Sequence, residues 1–185
     1  LRLMAAQQHR HGETGAHIRR LGLGAEASGR LVTELRRQAR ASLSLGTRSA
    51  EVLQDGPPGT GCPVNASVVE TDLAGVVTEP GVAARHDLRR ALELARFLRV
   101  PAVVVINKSD VDERERERLE TVAAEFGAPV VARIPFDRSI VEALAQGRPP
   151  VESPDCLSRD ALRDLAEAVW ERLRSVGPSA EEGGE

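Results

Sequence analysis

A chain of 185 residues that is 41% hydrophobic and 29% charged has sequence enough for one domain with a real core and too little for two. Its longest apolar run, Ala102 to Ile106, falls far short of the ~20 residues a membrane helix needs, and no signal-peptide pattern opens it, so a cytoplasmic protein without a membrane span is expected. Two cysteines, Cys62 and Cys156, exclude a disulfide scaffold and a four-thiolate cluster cage, and a formal charge of −3 with 2% aromatics gives no reason to expect nucleic acid.

Residues 1–26 are rich in Gln, His, Gly and Arg without periodicity and read as loop. Over 27–41 the spacing of Leu31, Leu35 and Ala39 behind Ser28 as N-cap predicts a helix. Short apolar runs near 50–54, 73–77, 101–106 and 129–134 predict strands, and helical patterns near 82–99, 112–126 and 138–146 lie between or after them. Strand and helix in alternation predict an α/β fold with a parallel sheet. In the 82–99 helix, Leu88, Ala91, Leu92, Ala95 and Leu98 form one apolar face, with Arg85, Arg89, Glu93 and Arg96 on the wet one. The run Pro101–Ile106 is apolar on both pleat faces, as in a central strand covered on each side. Asp112 to Arg118 alternates charge and reads as a solvated helix face. A last helix, 157–176, carries Leu162, Leu165, Val169, Trp170 and Leu173, and the acidic tail 177–185 reads as disordered.

Four segments could carry chemistry. Asp55-Gly56-Pro57-Pro58-Gly59-Thr60-Gly61-Cys62-Pro63 has the glycine spacing of a phosphate-binding loop, but Cys62-Pro63 stands where Lys and Ser/Thr are required, and its prolines lack the N–H donors such a loop uses. Asp55 then reads in two ways. It is either a carboxylate at a strand end that acts on Mg²⁺ through water, with Gly56 to Gly59 as a mobile switch, or part of a plain strand-to-helix turn. Asn107-Lys108-Ser109-Asp110 follows the central strand, contains the only lysine among 25 Lys and Arg residues, and has the form of a guanine-reading motif; an Asx turn is the alternative. Pro135-Phe136-Asp137 could frame a planar base or start a helix with Asp137 as N-cap, and Thr78-Glu79-Pro80 points to the same sheet edge. Gly22 to Ala27 imitates a dinucleotide fingerprint without a preceding strand, and His9, His11 and His17 read as polar loop rather than metal ligands.

In order and spacing, these segments resemble the C-terminal half of a MinD/ParA/Mrp-type P-loop ATPase. The nearest subgroup carries an inserted ferredoxin-like domain with two 4Fe–4S clusters. The resemblance runs from about His11 to Trp170 and includes Val77-Thr-Glu-Pro80, His86-Asp-Leu88, Glu142-Ala143, Gly147 and Pro149. It implies a three-layer α/β/α P-loop NTPase-like parallel sheet truncated at its N-terminus, since the Walker A loop and the ferredoxin insert would precede Leu1. It divides the chain into 1–26, a loop after the missing insert; 27–176, the C-terminal part of the ATPase domain; and 177–185, the tail. It assigns Asp55 as the Walker B/switch II aspartate, Gly56, Pro57, Pro58 and Gly59 as the switch, and Asn107, Lys108, Asp110, Pro135, Phe136 and Asp137 to the nucleotide base. The implied cofactors are ATP and Mg²⁺, with GTP suggested only by the Asn-Lys-Ser-Asp spelling, and 4Fe–4S clusters only through the upstream domain. The implied partners are the nucleotide, a second copy in a homodimer, and a redox or iron–sulfur protein. Without Walker A, this chain alone is expected not to hydrolyse nucleotide; a non-catalytic interaction module and a GTP-binding regulator are the other readings. Glu51 and Gln54, in a strand expected to be central, and Asn65, where an apolar residue is expected, depart from the family pattern.

Overall fold

The computed structural model describes residues 2–9, 29–43, 50–56, 61–153 and 156–176. Along the chain run β1 (Arg2–His9), α1 (Gly29–Leu43), β2 (Ala50–Asp55), α2 (Cys62–Val68), β3 (Leu73–Thr78), α3 (Val82–Phe97), β4 (Ala102–Asn107), α4 (Glu113–Glu125), β5 (Val130–Ile134), α5 (Arg138–Ala145), a 3₁₀ turn (Pro150–Glu152) and α6 (Arg159–Val176). The expected strands and helices are thus present to within about two residues at their ends. β1 is an addition: its sequence, RLMAAQQH, shows no alternation, and the reading of 1–26 as loop does not hold for 2–9. Ser28 as N-cap, the switch residues Pro57, Pro58 and Gly59, and the tail lie outside the described residues.

The strands form one sheet in the order β2-β1-β3-β4-β5. β3, β4 and β5 are parallel, with Val76 opposite Val104, Thr78 opposite Ile106 and Asn107 opposite Ile134. β1 is antiparallel to both of its neighbours, so β2 runs in the same direction as β3. This order corrects the reading of β2 as a buried central strand. Among the described residues β2 is an outer strand with Leu53 61% exposed, which is why Glu51 and Gln54 are tolerated at positions in it.

The centre of the sheet is where the apolar runs are densest. Val103, Val104, Val105 and Ile106 of β4 are each at most 1% exposed, and burying such side chains contributes about 1.5–3 kcal/mol apiece before entropy is charged. Alternate residues feed two cores. Ala74, Val76, Val104 and Ile106 pack with Val64 and Val68 of α2, Leu88 and Leu92 of α3, and Leu119 and Val122 of α4. Leu73 and Val103 point the other way, onto Leu173 of α6 with Val131, Val169 and Val176 around it. Helices therefore cover both faces, giving the three-layer α/β fold. Asn65 is on the exposed side of α2, which accounts for its polarity.

The charged start of α4 is not wholly solvated. Asp112 caps the helix, accepting the Glu115 N–H at 3.0 Å. Glu115 itself is buried, and its carboxylate pairs with Arg85 of α3 at 2.9 Å and with Arg118 at 2.5 Å. The alternation of charge marked the helix surface correctly but could not show that α3 folds over this one carboxylate.

Candidate functional site

Parallel strands all end on one side of a sheet, and the loops that leave them there converge on a shared crevice. At that carboxyl edge β3 ends in Thr78, β4 in Asn107 and β5 in Ile134, each followed by a segment read from the sequence as functional. The Thr78 side chain is buried, and its hydroxyl has no hydrogen-bond partner among the described residues. A buried hydroxyl left open at a strand end is the kind of group that a bound ligand or water completes.

Asn107 is half-buried at the end of β4, and Lys108 follows in the left-handed region at φ 52°. A non-glycine residue there turns the chain sharply. The turn carries the ammonium to within 2.7 Å of Glu79 on the loop after β3. The Ser109 N–H then donates to the Ile134 carbonyl at 2.9 Å, and the Phe136 N–H donates to Asp110 Oδ1 at 2.6 Å. Two motifs 26 residues apart are thereby fastened together, holding Pro135 and Phe136 exposed beside the Asn107 turn.

Asp137 follows Phe136 at the start of α5. It is buried and caps α5, accepting the Ser139 N–H at 2.9 Å and hydroxyl at 2.5 Å, while its other oxygen accepts the Ser158 N–H at 2.7 Å and faces Cys156 Sγ at 3.6 Å. The Ser139 hydroxyl chiefly, helped by the N–H groups of Ser158 and Ser139, outweighs desolvation and lowers its carboxyl to about 2. The carboxylate ties the start of α5 to the start of α6 and serves as the N-cap that the sequence allows.

Asp55 closes β2 with an exposed side chain, followed by buried Gly56. Because Met4 is opposite both Asp55 and Gly75, Asp55 is level with Gly75, three residues short of Thr78. At ~3.3 Å per residue that sets it about 10 Å back from the edge made by β3 and β4. The structure gathers Thr78, Glu79, Asn107, Lys108, Asp110, Pro135 and Phe136 at one edge and leaves Asp55 below it.

Among the described residues no three His, Cys, Asp or Glu side chains form a cage for a metal. Mg²⁺ held through one carboxylate, water and phosphate needs no such cage. The two cysteines do not fit an iron–sulfur cluster: Cys62 is exposed on α2 and Cys156 is buried beside Asp137, and a cluster needs four thiolates. No helix among the described residues is long and apolar enough to cross a membrane.

The described elements form a three-layer α/β fold. No family model matches the chain. An uncharacterised protein of Methanocaldococcus jannaschii is 27% identical over 155 residues, covering 83% of this chain and 49% of its own. The iron–sulfur cluster carrier protein of Pyrococcus horikoshii is 29% identical over 163 residues, covering 80% and 54%. Of solved structures, the MinD cell division protein of Aquifex aeolicus superposes with a TM-score of 0.59 at 18% identity, over 80% of this chain and 63% of that one. The cell division ATPase MinD of Pyrococcus furiosus gives 0.58 at 21% identity, over 79% and 60%. The chain is thus similar in sequence to iron–sulfur cluster carrier proteins and in fold to MinD ATPases, and it spans about half the length of the curated relatives it matches.

Proposed function

We propose that this chain supplies the base-binding edge and the switch aspartate of a nucleotide-dependent ATPase, and that the complete protein uses ATP to drive iron–sulfur cluster handling. The observation that carries the reading is the fastening of the Asn107 to Asp110 turn to the Pro135-Phe136 loop at the carboxyl edge, beside the open Thr78 hydroxyl. Asn107 is the amide that reads the base, Lys108 covers it, and Pro135 and Phe136 line its other side.

Asp110 Oδ1 accepts the Phe136 N–H at 2.6 Å. Asp110 becomes the post that holds the base loop. Asp55, at the end of β2, acts on Mg²⁺ through water. Mg²⁺ would supply charge neutralisation on the phosphates. In the complete protein two copies close on the nucleotide, and the cluster is held outside this chain, whose two cysteines are unsuited to it. Relatives named as iron–sulfur cluster carriers support the cargo, and their coverage of 54% leaves room for the phosphate loop elsewhere in the protein.

Calorimetry with ATP and GTP tests the reading, on residues 1–185 extended by whatever the same reading frame encodes before Leu1. ATP should bind more tightly than GTP. Asn107→Ala should weaken ATP about tenfold or more, and Asp55→Asn should keep binding while removing Mg²⁺-dependent hydrolysis. Absence of nucleotide binding, or tighter binding of GTP, overturns it.

A further inference from the structure

We propose a second binding site, for a small polyanion, at the opposite edge of the sheet from the nucleotide crevice. There the end of α3, the start of β4, the end of α4 and α6 border a half-open cavity of about 250 Å³, whose lining includes Arg96, Arg99 and Arg172 together with Phe126, Gly127 and Pro101. No acidic side chain lines it.

Two observations separate these arginines from ordinary surface charge. The first is pairing. Arg85 and Arg89, earlier on α3, meet carboxylates on α4, at Glu115 and Glu125. Arg96, Arg99 and Arg172 have no carboxylate partner among the described residues, although Arg96 is held 5.8 Å from the centre of the Phe126 ring. Three arginines from two helices and a loop, each exposed to solvent, line the same cavity, and their shared charge favours an anion there.

The second observation is the backbone beneath Arg99. The helices α3, α4 and α5 end in the same way, with paired bonds from two successive N–H groups back to the last turn: Arg99 to Arg96 and Val100 to Ala95, Gly127 to Ala124 and Ala128 to Ala123, Gly147 to Leu144 and Arg148 to Ala143. This closure needs a left-handed residue, for which glycine is the usual choice. α4 and α5 use Gly127 at φ 65° and Gly147 at φ 68°, whereas α3 uses Arg99 at φ 58°. Arginine is the unfavourable choice for the backbone at that position, so the side chain is the reason for it. Arg96 in the last turn of α3 also offsets the helix dipole, but that account does not extend to Arg99 or to Arg172 on another helix.

The ligand class follows from the lining. Two or three guanidinium forks suit two or more anionic oxygens on one molecule, and a cavity of about 250 Å³ holds the volume of about eight waters, the scale of a small phosphorylated or polycarboxylic metabolite. Neither the unpaired arginines nor the left-handed Arg99 depends on the nucleotide reading.

Pyrophosphate and citrate are the probes, titrated into isotope-labelled residues 1–185 at low ionic strength and followed through the amide signals of Arg99, Gly127 and Arg172. A saturable shift of these three signals by either probe is expected, with the tighter probe identifying phosphoryl or carboxylate as the natural chemistry. Arg99→Gly should weaken binding at least tenfold while leaving the melting temperature unchanged or higher, because glycine relieves the left-handed position. Arg172→Gln should weaken it similarly, and Arg114→Gln, exposed on α4 away from the cavity, should not. No saturable shift at this edge, or equal weakening by Arg114→Gln, overturns the proposal.

Discussion

The parallel strands β3–β5 and the flank formed by β1 and β2 belong to one sheet but differ in what surrounds them. β4 is covered on both faces, and its four central side chains are at most 1% exposed. Among the described residues β2 has a neighbour on one side only, and it exposes Leu53. The lesson is that the carboxyl edge is held firmly where helices press on both faces and less firmly at the flank, so the proposed base-binding end is built on rigid strands and the proposed switch end on a less covered one.

The largest test of that difference is a pair of truncations. Leu88→Ala removes a side chain that is 0% exposed in the core over β3 and β4 and should cost about 2–5 kcal/mol. Leu53→Ala on β2, 61% exposed, should change stability by less than about 0.5 kcal/mol. Denaturant midpoints at constant slope measure both. A large loss for Leu53→Ala would mean that the flank is covered and that β2 is no outer strand.

Charge burial sharpens the same contrast. Glu115 holds Arg85 and Arg118 between α3 and α4, with its own side chain 8% exposed and Arg85 32%. Glu115→Gln leaves two guanidinium groups without their anion and should cost about 1–3 kcal/mol. A double-mutant cycle with Arg85→Met should recover part of the loss; no coupling would make the pair incidental.

Asp137 gives the contrast a pH dependence. Its carboxyl titrates near 2 in the folded chain against 3.8 unperturbed. A depressed folded value favours the folded state wherever the carboxylate is charged, so the contribution is complete above the unperturbed value and is lost as pH falls from about 4 through about 2. Asp137→Asn should lower the melting temperature at neutral pH and flatten its acid dependence in that window. An unchanged slope would show that other carboxylates carry the acid sensitivity.

How much of this was legible beforehand depended on range. Leu88, Ala91, Leu92 and Ala95 repeat within one helix, and Val103 to Ile106 are contiguous, so local periodicity sufficed for α3 and β4. β1 was illegible because its Gln and His residues break alternation and its pairing with β2 and β3 spans tens of residues. The edge position of β2 was hidden for the same reason; Glu51 and Gln54 were the visible signal of it. At the site, the motifs were legible one by one, but the Asp110 to Phe136 bond joins residues 26 apart and only the fold discloses it. For Arg99, the absence of a glycine after α3, where α4 and α5 are followed by Gly127 and Gly147, was a signal present in the sequence.

The smallest expected effect lies at the site itself. Lys108 and Glu79 meet at 2.7 Å with side chains 44% and 54% exposed, so solvent screens the pair and Glu79→Gln should cost no more than about 1 kcal/mol, diminishing with salt. Lys108 also occupies a left-handed position at φ 52°, where glycine is relieved of the side-chain clash. Lys108→Gly should therefore lose the ion pair yet match or exceed the parent in stability. If ATP affinity falls in that variant while stability holds, the lysine is retained for the ligand rather than for the fold. If both are unchanged, Lys108 has no part in the site, and the base is held by Asn107 and the Phe136 loop alone.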